Sequence, residues 1–171
     1  MKKILILFVG LGLIAFSNNI TGPRYRVDLA VGAINYKESL IVNNLLSLPV
    51  SIGFLPEWKY QINNKIDLTF GPKINLVITN NLNIDQEIRK NLILGGEIDF
   101  NYRLKENIRI YSGIEVGTGL GITINDGKFS SIESVNISKI SIGVKISDEY
   151  NVAFYTGDIK GLIGIEAGCT F

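Results

Sequence analysis

The chain has 171 residues, with 17 Lys and Arg against 16 Asp and Glu, one cysteine and no histidine. That length holds one domain, and the near balance of charge removes any electrostatic case for nucleic acid or a polybasic membrane patch. A single thiol without histidine excludes an internal disulfide and a conventional zinc site, and no cofactor is expected.

The first element is a basic "MKK" followed by the unbroken apolar run Ile4 to Phe16, closed by Ala15-Phe16-Ser17. The run is too short to span a bilayer comfortably and ends in a small-x-small pattern. Residues 1–17 therefore read as a cleaved secretory signal, leaving 18–171 as one domain.

From Tyr25 onward the period is two. In the first strand Tyr25, Val27, Leu29, Val31 and Ala33 alternate with Arg26, Asp28, Ala30 and Gly32; in the second, Leu48 to Ile62 alternates through Trp58 and Tyr60 against Glu57 and Lys59. Asn63-Asn64 tolerates positive φ and returns the chain directly into a third strand, Ile66 to Ile78, with Asp67, Thr69 and Lys73 on its polar face. The fourth carries Leu92, Leu94, Ile98, Phe100 and Tyr102 against Glu97, Asp99, Asn101 and Arg103. The fifth sets Ile108, Ile110, Ile114 and Val116 against Arg109, Tyr111 and Glu115. The sixth, around Ile140 to Ile146, has Lys139 and Lys145 on its polar face. Two shorter strands follow, around Val152 to Thr156 and Ile163 to Phe171, the last with Glu166 inside the alternation. Short connections at Asn63-Asn64, Lys105 to Asn107 and Asp148-Glu149 alternate with longer ones at Lys37 to Ser47, Thr79 to Glu87 and Asn125 to Ser134; the connection near Gly157 to Lys160 is short.

Three features set the apolar face outward. The polar face is rich in glycine and in charges of both signs, which suits a narrow barrel interior and has no rationale on a solvated exterior. Tyr25, Trp58, Tyr60, Phe100, Tyr102 and Phe171 fall on the apolar face near one rim, where amphipathic rings form a membrane-interface girdle. Many strands exceed the ~9–11 residues that cross a bilayer at a tilt, and a closed antiparallel sheet is the one sheet solution hydrocarbon allows.

This pattern, with its leading signal and its last strand ending in Phe171, resembles the small bacterial outer-membrane barrels of the OmpA/OmpX and opacity-protein type. The resemblance implies an all-β, eight-stranded antiparallel up-and-down transmembrane barrel in the outer membrane, both termini periplasmic. It also implies two partners: outer-membrane lipid and the outer-membrane insertion machinery, the latter reading the terminal strand through Phe171 with Ile165 and Ala167. Cys169 stands where a bulkier apolar residue is usual in that family.

The candidate site is the set of interior charges Arg26, Asp28, Glu57, Lys59, Asp67, Lys73, Glu97, Asp99, Arg103, Arg109, Glu115, Lys139, Lys145 and Glu166. Such a set forms either a polar path or a closed plug of ion pairs, and the plug is favoured because unpaired buried charge is costly. An enzyme is not expected, since no histidine is present to activate a hydroxyl nucleophile. The reading is a non-enzymatic barrel with a structural or adhesin-like role carried by its outer loops, among which Asn125-Asp126-Gly127 signals a protruding hairpin. The alternatives are a narrow porin-like channel and a secreted lipocalin-like carrier with the apolar face inward.

Overall fold

In a computed structural model of the protein, residues 19–37, 44–81, 88–125 and 128–171 are described, so the expected signal at 1–17 lies outside them. Eight strands follow one another in chain order: β1 (Ile20–Lys37), β2 (Asn44–Gln61), β3 (Ile66–Asn81), β4 (Ile88–Lys105), β5 (Ile108–Asn125), β6 (Lys128–Ile146), β7 (Tyr150–Gly157) and β8 (Ile163–Thr170). Each pairs antiparallel with its neighbour in sequence, and β8 pairs with β1 to close the ring. Tyr25 and Phe171 finish the closure by exchanging backbone hydrogen bonds of 2.9 Å in both directions. No open edge remains over that part of the wall, which is what a strand-built structure needs in lipid.

The alternation resolves into an outside and an inside. Leu94 is 62% exposed and Ile142 66%, whereas Arg26, Lys73 and Glu115 are fully buried. A carrier with its apolar face inward is therefore excluded, because the aliphatic side chains clothe the exterior and the charges fill the centre. The glycines of the polar face make the interior fit. Gly32 and Gly164 lie beneath the Tyr155 ring, and a Cβ at Gly164 would stand 2.2 Å from Tyr155 Cζ. Gly164→Val should accordingly destabilise the barrel by about 1–3 kcal/mol through overpacking, seen as a lower urea midpoint for the refolded protein, while Leu162→Val on the exposed side should change little.

One end of the barrel carries both termini of the described chain and three turns. The expected two-residue turn at Asn63-Asn64 is longer, spanning 62–65, because the Asn63 side chain accepts hydrogen bonds of 2.8 Å from both Lys65 N and Ile66 N. The β6–β7 turn places Ser147 and Asp148 at φ 54° and 59° under a Glu149 N to Ile146 O bond of 3.0 Å, the type I′ geometry that matches strand twist.

At the opposite, loop end the wall is uneven. Strands β1 to β6 have 16–19 residues, β7 and β8 only eight each. From Lys128 on, the expected long connection from Asn125 to Ser134 is strand: β6 begins at Lys128 and pairs back to Asn125, and 126–127 of the expected hairpin turn lie outside the described residues. The ladder with β7 reaches only to Lys139, and Ser138 is held on that side by Asp158, so among the described residues Lys128 to Ile137 are paired on the β5 side alone.

Candidate functional site: the ion-paired lumen

All fourteen predicted interior charges face inward; Lys59 and Arg103 are half-buried and the others buried. The register brings them together in two tiers. Alternation on eight neighbouring strands aims one side chain from each strand at the same narrow axis, so the charges meet across the barrel as well as along it.

The middle tier is built around three cations. Arg26 on β1 reaches Asp28 (3.2 Å), Glu57 (3.3 Å) and Asp99 (2.8 Å), and also contacts Glu97. Lys73 on β3 sits among Glu97 (2.7 Å), Asp28 (2.8 Å), Glu115 (3.5 Å) and Glu166 (3.7 Å). Lys139 on β6 takes Glu166 (2.8 Å), Glu115 (3.0 Å) and Glu97 (3.2 Å). Glu97 and Glu115 stand directly opposite each other on β4 and β5, an arrangement that would repel on its own; Lys73 and Lys139 both bridge it. Below them Lys145 bonds Asp99 (2.7 Å) and Thr69 (2.8 Å), its ammonium 4.8 Å from the Tyr111 ring centroid.

Carboxylate oxygens of Asp28, Glu97 and Glu166 lie within 4.8 Å of one another, a spacing that could hold a metal ion. The chain supplies its own cation there, because the Lys73 ammonium touches two of the three. The tier is thus an interlocked brace in which every carboxylate serves more than one cation.

The tier at the terminal end is looser. Lys59 pairs with Asp148 (2.8 Å) and lies 3.9 Å from Asp67; Arg109 Nε is 3.3 Å from Asp67 and its guanidinium also contacts Asp148. Arg24 contacts Glu57 and reaches Asp148 at 3.9 Å.

Three participants escaped the sequence reading. Arg24 shares the parity of Arg26 and Asp28, a signal that was available. Asp148 sits in a turn, where alternation says nothing, and the left-handed backbone turns it to the lumen mouth. Lys160 belongs to the β7–β8 connection, which folds into the barrel: its ammonium reaches Glu115 (3.0 Å) and Glu166 (3.5 Å), while its carbonyl accepts the Tyr155 hydroxyl at 2.8 Å. Next to it, Ile159 joins Val135 in packing on the buried cluster of Val77, Ile93 and Ile137.

Outside, Tyr25, Phe100, Tyr102 and Phe171 are exposed and Trp58 and Tyr60 half-buried. Tyr25 stacks on Phe54 at 6.0 Å and tilts against Phe171 at 6.3 Å, and cross-strand pairing puts Leu68 opposite both Tyr60 and Phe100. The six rings occupy the exterior toward the terminal end.

No family model matches the chain, nor does any curated protein. Among solved structures, the outer-membrane enzyme PagL superposes with a TM-score of 0.54 at 12% identity, over 85% of this chain and 95% of that one. Ail, the attachment invasion locus protein of Yersinia pestis, gives 0.44 at 10% identity over 86% and 92%. In fold, then, the chain is a small eight-stranded antiparallel barrel similar to that of the outer-membrane enzyme PagL, as the sequence resemblance implies.

Proposed function

We propose that the protein is a non-enzymatic integral barrel of the bacterial outer membrane whose role is surface interaction through its loop end. The termini and the short turns lie on the periplasmic side, and the aromatic rings of the exterior mark the inner-leaflet interface. Outer-membrane lipid is its solvent, and the insertion machinery is its partner during assembly, reading the last strand through outward-facing Phe171. The observation that carries the surface role is the uneven wall. Residues of β6 from Lys128 to Ile137 extend past the end of β7 with one flank unpaired among the described residues.

On that flank the parity is fixed by Ser138, whose N–H points toward the β7 side and is covered by the Asp158 carboxylate at 3.0 Å. Farther out, Ile132, Ser134 and Asn136 share this parity and present backbone donors and acceptors in a row. Such an edge recruits an extended segment of a partner by strand addition. Attachment of whole cells to protein-coated surfaces should therefore fall when Ser134 and Asn136 are replaced by proline, with the barrel still heat-modifiable on gels. Undiminished attachment would remove the edge from the account. Recovery of the wild-type protein from the soluble fraction without detergent would remove the membrane.

The ion-paired lumen argues against the porin-like alternative. Wild-type protein in planar bilayers should show no steady conductance. Lys160→Ala should leave this unchanged as well, because the Arg26–Lys73–Lys139 tier remains beneath it.

A further inference from the structure

We infer that the terminal end of the lumen is a binding site for an oxyanion of the phosphate class, held by Arg24, Lys59, Arg103 and Arg109. Three of these cations, Arg24, Lys59 and Arg109, share two carboxylates there, Asp67 and Asp148, while Glu57, which also contacts Arg24, is shared with Arg26. Arg24, Lys59, Arg103 and Arg109 lie near enough to repel one another.

Arg103 and Arg109 stand directly opposite on β4 and β5, the same like-charge juxtaposition that Glu97 and Glu115 make six residue pairs deeper in the same ladder. The glutamate pair has two lysines between its members. The arginine pair has no equivalent: Asp67 serves Arg109 at 3.3 Å, and among the described residues no carboxylate comes within ion-pairing distance of Arg103.

A second observation is independent of the charge balance. Among the described residues, the buried guanidinium Nε–H groups that complete no hydrogen bond are those of Arg24, Arg103 and Arg109, all three at this mouth, Arg109 Nε although it lies 3.3 Å from Asp67; the other buried side-chain atoms lacking a partner are oxygens, of Asn75, Asp99, Asn101, Ser141 and Asn151. Arg109 is one of them although its side chain is only 8% exposed. Donors fixed and desolvated in this way call for an acceptor bearing several oxygens and at least one negative charge, which a phosphate group supplies to planar guanidinium forks. The group comes either from free phosphate or from the headgroup of a phospholipid at this rim.

The test is direct observation of the arginine Nε–Hε resonances in the full mature protein. In uncharged detergent, inorganic phosphate should shift Arg103 and Arg109 saturably, and chloride at equal ionic strength should not. Arg103→Gln should weaken phosphate binding about tenfold or more, Arg103→Lys less, and Lys128→Gln at the other end not at all. Nanodiscs of phosphatidylcholine with and without phosphatidylglycerol separate the sources. A shift that needs only the anionic lipid assigns the headgroup, and one that needs added phosphate assigns the free ion.

Arg103→Gln has a second readout. In anion-free buffer it should be at least as stable as wild type, since it removes a like-charge pair, but it should lose the stabilisation that phosphate confers. The site is overturned by phosphate and chloride acting alike, by Arg103→Gln binding phosphate as wild type does, or by Arg103→Gln unfolding more readily without any anion.

Discussion

Replacing Arg26 with methionine should destabilise the refolded barrel by about 3 kcal/mol, at the lower end of the range for breaking a buried ion pair from one side. The direction follows from what the substitution strands. Arg26 is fully buried and contacts Asp28, Glu57, Glu97 and Asp99 at once, so methionine fills comparable volume but leaves four desolvated carboxylates short of a partner. The loss stays near the lower bound because each retains another cation: Lys73 for Asp28, Arg24 for Glu57, Lys73 and Lys139 for Glu97, Lys145 for Asp99.

The single tryptophan, Trp58, gives a clean reporter for urea unfolding in lipid vesicles. Adding Asp99→Asn to Arg26→Met should restore part of the loss, because it removes one of the stranded charges, and the non-additivity measures the coupling. Raising the salt should change neither result much, since a buried tier is poorly screened. A loss below about 1 kcal/mol would mean that the tier is hydrated and each charge solvated separately.

Much of this architecture was legible because a narrow barrel translates sequence parity into space with almost no intermediate choice. Once one residue of a strand is inward, every second residue is inward, and neighbouring strands must agree or the sheet cannot close. That is why Arg26, Lys73, Glu97, Glu115 and Lys139 could be placed in one lumen without register, and why pairing between them could not. Which cation meets which carboxylate depends on the stagger between strands, and the sequence holds no local record of stagger.

Parity failed where the backbone leaves the ladder. Asp148 and Lys160 lie in connections, and only the folded turn directs them inward. The outer half of β6 was signalled by the hairpin turn at Asn125-Asp126-Gly127 but not by its own alternation. Its apolar residues Phe129, Ile132, Val135 and Ile137 are irregularly spaced, and a register shift interrupts its pairing with β5 between Thr123 and Ile124. A stretch so punctuated with serine reads as loop until its partner strand is seen.

Placing an arginine at Ile142 should cost about 2–4 kcal/mol if the exterior is set in hydrocarbon, the penalty for a cation near the midplane of a transmembrane barrel. Ile142 suits the test: it is 66% exposed, so nothing inside the protein is displaced, and it pairs with Phe154 halfway along β7, far from both rims. For a barrel surrounded by water the same substitution would be nearly neutral, since an exposed isoleucine makes few contacts and arginine is readily hydrated. The sign and size of one surface mutation thus discriminate between two solvents. Val144→Arg, nearer the terminal end and its ring of aromatic side chains, should cost less than Ile142→Arg, because the guanidinium can extend to the headgroups. Equal effects at the two positions, or no effect at Ile142 in vesicles, would place the apolar belt somewhere other than in a bilayer.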